Sequence, residues 1–327
     1  MPHRYFQLIR RMVAAGGIAA ATTFAGAQEF PARPVRMVVP QAPGGGTDIF
    51  ARAVGQRLSA RWGQPVVVDN RAGAAGTLGT DLVAKAPADG YTLLVTYAGS
   101  QAINQSLYAR LPFDSIRDFQ MVATIAVSPF FLVVQHNAQA KDLREFLALA
   151  RARPNAITYA SSGNASVPHL VGEMLMHETG VRLLHVPYKG MAQALTDVLG
   201  GQVDSAVSSV PASVQHVNSG SLRALAVTSP RRLAVAPSVP TFAEAGIANF
   251  DVNPWWGILA PAGTDMKIVR KINADVAEIL RSAETQAFFR TQGAETFVTT
   301  PEEFLKILVS DVEKWAKVVK ASGARID

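Results

Sequence analysis

Three consecutive glycines, Gly44-Gly45-Gly46, follow Pro43 and precede Thr47 and Asp48. Glycine lets a backbone take positive φ and come close to a ligand. The run lies between an apolar strand-like segment, Val35–Val39, and a helical pattern over Asp48–Trp62. Its N–H groups therefore open a helix, where free donors and the helix dipole suit an anion. The spacing is not the G-x-G-x-x-G of a dinucleotide site, and no G-K-[ST] follows to reach a β- or γ-phosphate. The same residues also serve as a simple strand-to-helix turn capped by Thr47 or Asp48.

A second donor-rich stretch, Ser161-Ser162-Gly163-Asn164-Ala165-Ser166, again joins a strand pattern to a helix pattern. Ser161, Ser162 and Asn164 are its candidate ligand contacts, although an ordinary capping loop has the same composition. Tyr97-Ala98-Gly99-Ser100 ends another strand and adds Ala98, Gly99 and Ser100 as candidates. Tyr188 can bond or stack on a ligand, or pack half-buried. Asp204 suits a donor group of a ligand, or anchors a loop. His169 opens a helix near the expected cleft, or is structural. His169 and His177 are eight residues apart on one helix, about 12 Å along its axis and about 80° apart in rotation, so they do not chelate one metal. Neither H-E-x-x-H nor G-x-S-x-G occurs. No metal, no cofactor and no enzymatic activity is expected.

The chain has 327 residues, 49% hydrophobic and 17% charged, with no cysteine. It is long enough for about two domains, and disulfide and thiolate chemistry are excluded. Arg4, Arg10 and Arg11 precede an uncharged stretch, Met12–Ala27, that ends in Ala25-Gly26-Ala27. This reads as a cleavable secretory signal over residues 1–27, too short for a membrane span of roughly 20 residues. Its removal takes three arginines and no acid, and lowers the formal charge from +6 to +3. No basic stripe for nucleic acid remains.

The mature part alternates strand and helix patterns, which argues for α/β architecture with parallel strands. Strands are predicted at Val66–Val68, Tyr91–Thr96, Ile157–Ala160, Leu183–Pro187, Ser205–Ser208 and Leu222–Thr228. Helices are predicted at Thr77–Lys85, Leu143–Arg151, His169–Glu178, Met191–Leu199 and Val214–Ser219. Val122–Val134 is long enough to leave one lobe and enter another, and Asp251–Pro261 is the return crossing. Residues 28–127 and 251–327 then form lobe 1, and residues 128–250 form lobe 2. Val269, Ile272, Val276, Ile279 and Leu280 repeat at helical spacing, as do Phe304, Leu308, Val312, Trp315 and Val319. Thr300 caps the last helix and Pro301 is its first residue. Two lobes joined by two crossings leave a cleft, where small ligands bind. Loops 43–48 and 161–166, one per lobe, would clamp a carboxylate from both sides.

An ordered series of motifs resembles the extracytoplasmic solute receptors of tripartite tricarboxylate transporters, the Bug-type receptors. It runs from Pro34–Pro40 and the Pro43–Asp48 loop through Val68-Asp69-Asn70-Arg71-Ala72-Gly73-Ala74, Ala88–Leu93 and Ser161-Ser162-Gly163-Asn164. It continues with His185-Val186-Pro187-Tyr188-Lys189-Gly190, Gly200–Asp204 and Trp256–Gly263. The resemblance implies a two-lobed periplasmic-binding-protein fold, type II-like, with hinged closure around a small carboxylate. It implies periplasmic location and delivery to the membrane subunits of such a transporter, or a role as a periplasmic sensor. A monomer is expected. A cleft enzyme and a ligand-sensing lobe of a transcription regulator share the architecture. The second is disfavoured by the signal segment and by the absence of a helix-turn-helix. Ala165 departs from the glycine that relatives often carry, which bears on ligand size.

Overall fold

The computed structural model describes residues 30–322, apart from 109, 165 and 249. The expected signal segment and Ala165 lie outside the described residues. All named elements belong to one unit that begins at Arg33.

In chain order they are β1 (Val35–Val39), α1 (Gly46–Trp62), β2 (Val66–Asn70), α2 (Thr77–Ala84), β3 (Thr92–Tyr97), α3 (Asn104–Leu107), β4 (Phe119–Val127) and β5 (Phe130–Gln135). There follow α4 (Leu143–Ala152), β6 (Thr158–Ser161), α5 (Val167–Thr179), β7 (Leu184–Pro187), α6 (Met191–Leu199), β8 (Ser205–Ser209), α7 (Val210–Asn218) and β9 (Leu222–Val227). The chain closes with β10 (Trp255–Pro261), α8 (Met266–Arg281), α9 (Ala283–Thr291), β11 (Glu295–Thr296) and α10 (Pro301–Ser322).

The strands form two sheets, ordered β11-β4-β10-β3-β1-β2 and β7-β6-β8-β5-β9. The sheets repeat one plan. In each, three parallel strands come from successive β–α units: β2-β1-β3 in the first, β7-β6-β8 in the second. Beside them runs one reversed strand, β10 or β5, antiparallel to both its neighbours. That reversed strand is in each case the one by which the chain enters from the other sheet. Purely parallel sheets are therefore not what forms. A strand arriving from the other sheet runs opposite to strands that follow crossover helices.

The long apolar run at 122–134 is two strands rather than one. Pro129 has no N–H to donate to a ladder. Val127 is still in the first sheet and Phe130 already in the second, while Ser128 N–H donates to Pro254 O on the returning segment. The π-turn Gly99–Ile103 leading into α3, the short strand β11 and the separate helix α9 have no counterpart among the predicted elements.

Helical periodicity located the C-terminal elements well. Val269, Ile272, Val276, Ile279 and Leu280 are buried on α8, and Phe304, Leu308, Trp315 and Val319 on α10. A capping box opens α10: Glu303 N–H donates to Thr300 Oγ1, and Thr300 N–H donates to Glu303 Oε2. In the second lobe, Phe131, Val133, Ala206 and Val227 from the sheet pack with Ala194, Leu195 and Val198 of α6 and Val210 and Val214 of α7.

Helix α2 packs unusually close to the end of β1. A Cβ on Gly79 would lie 2.7 Å from Arg71 O and 2.8 Å from Pro40 Cα, both backbone atoms that cannot swing aside. Gly79→Ala is expected to destabilise the protein by about 1–3 kcal/mol, the usual cost of overpacking. Urea unfolding checks this; an unchanged midpoint would mean that α2 shifts freely.

Candidate functional site

Two adjoining cavities lie between the sheets. The smaller, about 50 Å³, holds a few waters or the head of an acid. The larger, about 650 Å³, has room for the body of a small ligand. Gln41, Tyr97, Ser162 and Lys189 line both, so the two form one cleft.

The smaller cavity sits where four helices begin. Gly45, Gly46 and Thr47 bring the start of α1, Pro168 that of α5, Gly190 and Met191 that of α6, and Ser209 that of α7. Each helix start presents N–H groups without intrahelical partners and a partial charge of roughly +0.5. Among the described residues lining the two cavities there is no aspartate or glutamate, and Lys189 is the one lysine or arginine. A small space with several convergent donors and no counter-anion suits a carboxylate oxygen pair.

The wall of this space is aromatic and fixed. Trp256 Nε1–H donates to Thr47 Oγ1 at 3.1 Å. The Trp256 ring stacks on Tyr97 with centroids 5.8 Å apart and meets Phe50 edge-on at 5.2 Å. Burial pushes the Tyr97 phenol up to about 12, against the opposing effect of a hydrogen bond from Val167 N–H, so the ring stays neutral.

The lobes touch around the cavity. A Cβ on Gly190 would lie 2.5 Å from Ala42 Cβ, one on Gly46 would lie 3.1 Å from Ser209 Oγ, and one on Gly44 would lie 3.3 Å from Ala192 Cβ.

Of the residues singled out from sequence, Gly45, Gly46, Thr47 and Ser162 line the smaller cavity, and Ser100, Ser162, Asn164 and Tyr188 the larger. The Tyr188 hydroxyl donates to Asp197 Oδ2 at 2.6 Å. Gly44 is exposed and lines neither cavity, and Asp48, Ala98 and Gly99 stand behind the wall. Asp48 is a loop anchor, accepting from Gly44 N–H at 3.0 Å and Arg52 Nε at 3.1 Å. Ala98 and Gly99 are buried, and Gly99 is small because the Tyr97 ring occupies the place of its Cβ.

Of the two readings of Asp204, the structure shows the loop anchor. It accepts from Thr158 N–H at 2.8 Å and Thr158 Oγ1 at 2.7 Å, where β6 and β8 begin. The cleft lies at the other end of these strands, about 15 Å away at ~3.3 Å per residue. Asp204 ties two strands together and lines neither cavity.

His169 and Ser161 belong to a network under the 161–166 loop. His185 Nε2 is 2.6 Å from Ser161 Oγ, and its ring stacks on that of His169 with centroids 4.1 Å apart. Glu173 lies 3.4 Å from His169 Nε2 and accepts from the Tyr159 hydroxyl at 3.1 Å. Ser161 also bonds Gly163 N–H and O, and it is 0% exposed. By distance Ser161 and His185 are a serine–histidine pair, but the hydroxyl faces the loop backbone and clamps it.

Burial, and then the neighbouring His169, lower His185 from 6.5 to about 4. The unfolded chain therefore takes up this proton first. The stability due to neutral His185 is full above about pH 6.5 and is lost as pH falls toward about 4. His185→Asn is expected to flatten the decline of the urea midpoint between pH 7 and 5. An identical slope in the variant would show that His185 does not set this pH dependence.

Gln41, Ala42, Phe130, Met191, Ser209 and Trp256 line the smaller cavity without having been singled out. Ala74–Gly76 line the larger one. Gln41 and Ala42 lie two and three residues past the end of β1, and Ser209 ends β8. Their position at carboxyl ends of strands was the available signal.

Two mixed sheets of matching order, joined by two crossings, with helix starts converging on a cleft, define a two-lobed periplasmic-binding-protein fold. Residues 50–324 match the model of the tripartite tricarboxylate transporter family receptor, TctC. Protein BugT of Bordetella pertussis is 38% identical over 324 residues, 99% of this chain and 98% of that protein. The chain belongs to the tripartite tricarboxylate transporter receptor family and is of the Bug type. R. palustris Rpa4515, solved with adipate, matches with a TM-score of 0.89 at 36% identity, covering 91% of this chain and 100% of that one. MatC (Rpa3494) from Rhodopseudomonas palustris, solved with bound malate, matches with a TM-score of 0.84 at 32% identity, covering 89% and 100%.

Proposed function

We propose that this protein is a periplasmic receptor that captures a small carboxylate between its lobes and delivers it to the membrane subunits of a tripartite tricarboxylate-type transporter. The observation that carries this reading is the convergence of four helix starts on a small cavity lined, among the described residues, by no acidic side chain. The acid head sits there, against Gly45, Gly46, Thr47, Ser162 and Ser209, and the rest of the ligand extends past Tyr97 into the larger cavity. Hydrogen bonds to a charged group contribute roughly 1.5–3 kcal/mol each, so three or four support micromolar binding after ordering costs. Relatives solved with adipate and malate support a carboxylate as the ligand.

Lobe 1 comprises residues 28–127 and 251–327, and lobe 2 residues 128–250. Closure hinges near Val127–Phe131 and Pro254–Gly257. The ligand favours the closed form by its differential affinity for that form. The protein works as a monomer without cofactor and performs no chemistry on its ligand. Export removes residues 1–27 and leaves Gln28 as the first residue; an intact mass that retains Met1–Ala27 in the exported protein contradicts this.

The purified protein is incubated with a pool of organic acids, then assayed by native mass spectrometry for bound acid and by chromatography for conversion of the pool. One acid retained and recovered unchanged is the expected result. Consumption of an acid with appearance of a product overturns the receptor reading in favour of an enzyme.

A further inference from the structure

A further cavity, of about 340 Å³, lies across the crossings from the binding cleft. Strand order places it there. The cleft forms at the ends of β1, β3, β6 and β8, which lie on one side of the crossing strands β4, β10 and β5. The strands β11 and β9 lie on the other side. Neighbouring crossing residues divide between the two spaces: Phe130 lines the cleft and Pro129 the rear cavity. Val127 and Asn253 complete that face of the rear cavity.

Its other walls come from different lobes. Glu295 stands on β11 in lobe 1, opposite Val127 of β4. Arg231 and Arg232 follow β9 in lobe 2. Their loop is braced: Ser229 Oγ donates to Arg231 O at 2.6 Å, and Arg232 Nε donates to Glu244 Oε2 at 2.8 Å. Arg232 is thus engaged within its own lobe. Arg231 and Glu295 are exposed, and among the described residues neither side chain has an ion-pair partner. Two opposite charges therefore face one cavity from two lobes.

The structure has the lobes in contact across the cleft, Gly190 against Ala42 and Gly46 against Ser209. Rotation about the crossings that parts these contacts narrows the space on the far side of the axis. Gly293 meets Val210 beside the crossings, near the axis, where displacement is least. Glu295 lies two residues past Gly293. Arg231 lies three residues past Thr228, whose N–H donates to Phe130 O of the crossing. Both charges are farther from the axis, and opening brings them toward each other.

We propose that Arg231 and Glu295 are a latch of the open receptor: an ion pair made behind the hinge when the cleft opens and broken when the cleft closes on a solute. The inference rests on the hinged-receptor reading and adds what holds the hinge open. The latch biases the empty receptor toward the form that admits a solute. Closure breaks the pair, so apparent affinity is reduced by the fraction held open. An exposed ion pair shifts the open-to-closed ratio by up to about fivefold, and by less as salt screens it.

The chain has no cysteine, so Arg231→Cys with Glu295→Cys introduces one defined thiol pair. The full mature double variant is treated with a short bis-maleimide, without acid and with saturating adipate or malate. Crosslinking of the ligand-free protein is expected, slowed at least about tenfold by whichever acid binds. No crosslink without acid overturns the latch. An acid that binds while crosslinking continues unchanged also overturns it, and leaves the receptor reading intact. Calorimetry tests the charges, with the same acid at about 10 mM and about 1 M salt. Glu295→Gln should bind about two- to fivefold tighter than the parent at low salt and equally at high salt. Adding Arg231→Gln should change nothing more. Unchanged or weaker binding by Glu295→Gln at low salt overturns the latch. If neither acid binds, small-angle scattering of the ligand-free proteins decides. Glu295→Gln should then have a smaller radius of gyration than the parent, and an equal radius overturns the latch whatever the receptor binds.

Discussion

Gly190→Val is expected to weaken ligand binding by about 100-fold or more, while the ligand-free protein melts within a few degrees of the parent. Gly190 is extended, with φ of −174° and ψ of 158°, so valine fits its backbone. The obstacle is across the cleft. The new Cβ would lie 2.5 Å from Ala42 Cβ, and that atom is fixed to backbone and cannot rotate away. Only separation of the lobes relieves the overlap. A gap of an ångström or two takes the donors of one lobe out of hydrogen-bond range of a ligand held by the other. Two charge-assisted bonds lost at roughly 1.5 kcal/mol each correspond to about 100-fold in affinity. Folding of each lobe is not involved, because the clash lies between them. The cost at the start of α6, about 1 kcal/mol for valine at an N-cap, shifts melting by ~2–4 °C. Calorimetry with an identified acid, beside a melting curve, checks both halves. Unchanged affinity would mean that the lobes need not meet at Ala42 to hold the ligand.

Gly45→Val works by the opposite route and is expected to cost about 10- to 100-fold in affinity. At φ of −83° and ψ of 167° the position accepts valine without strain. Nothing in the protein crowds it, since the nearest atom to an added Cβ is Ala42 O at 3.9 Å. Gly45 lines the smaller cavity, so the added side chain is expected to narrow it. The lobes still close, but the acid head is displaced from the start of α1. Small-angle scattering separates the two variants. With saturating acid the Gly45 variant should compact as the parent does, and the Gly190 variant should not. Equal affinity in the Gly45 variant would place the acid head elsewhere.

The parts of this site visible in the sequence share one physical basis. Gly44–Asp48 and Ser161–Ser166 were legible because composition and position both marked them: glycines or small donors between a strand and a helix. Gln41 carried no such mark. A single glutamine after a strand is unremarkable until its amide is seen wedged between Gly76 and Ser100. Trp256 read as an apolar residue of a crossing strand, because the pairing of β10 with β3, which brings it onto Tyr97, joins residues some 160 positions apart. Asp204 misled for the converse reason. It ends a turn, as ligand residues often do, but that turn precedes β8 and so lies at the amino end of the strand, as the place of Asp204 before Ser205 in the sequence already indicates. The reversal of β5 and β10 was likewise hidden, since strand direction depends on which sheet the chain comes from. The buried faces of α8 and α10 were legible throughout, because apolar residues recurring every 3.6 positions over several turns line up only on one side of a helix.

The central claim is that a carboxylate is held by uncharged donors at converging helix starts. Its most direct test is a pair of titrations on one sample: the tightest-binding acid, then its primary amide, each followed by calorimetry. The amide keeps nearly the size and shape of the acid, removes its charge and replaces one acceptor oxygen with an N–H donor group. Binding of the acid with the amide at least about 100-fold weaker is the predicted result, the loss of two charge-assisted hydrogen bonds. An amide that binds as tightly as the acid would contradict it.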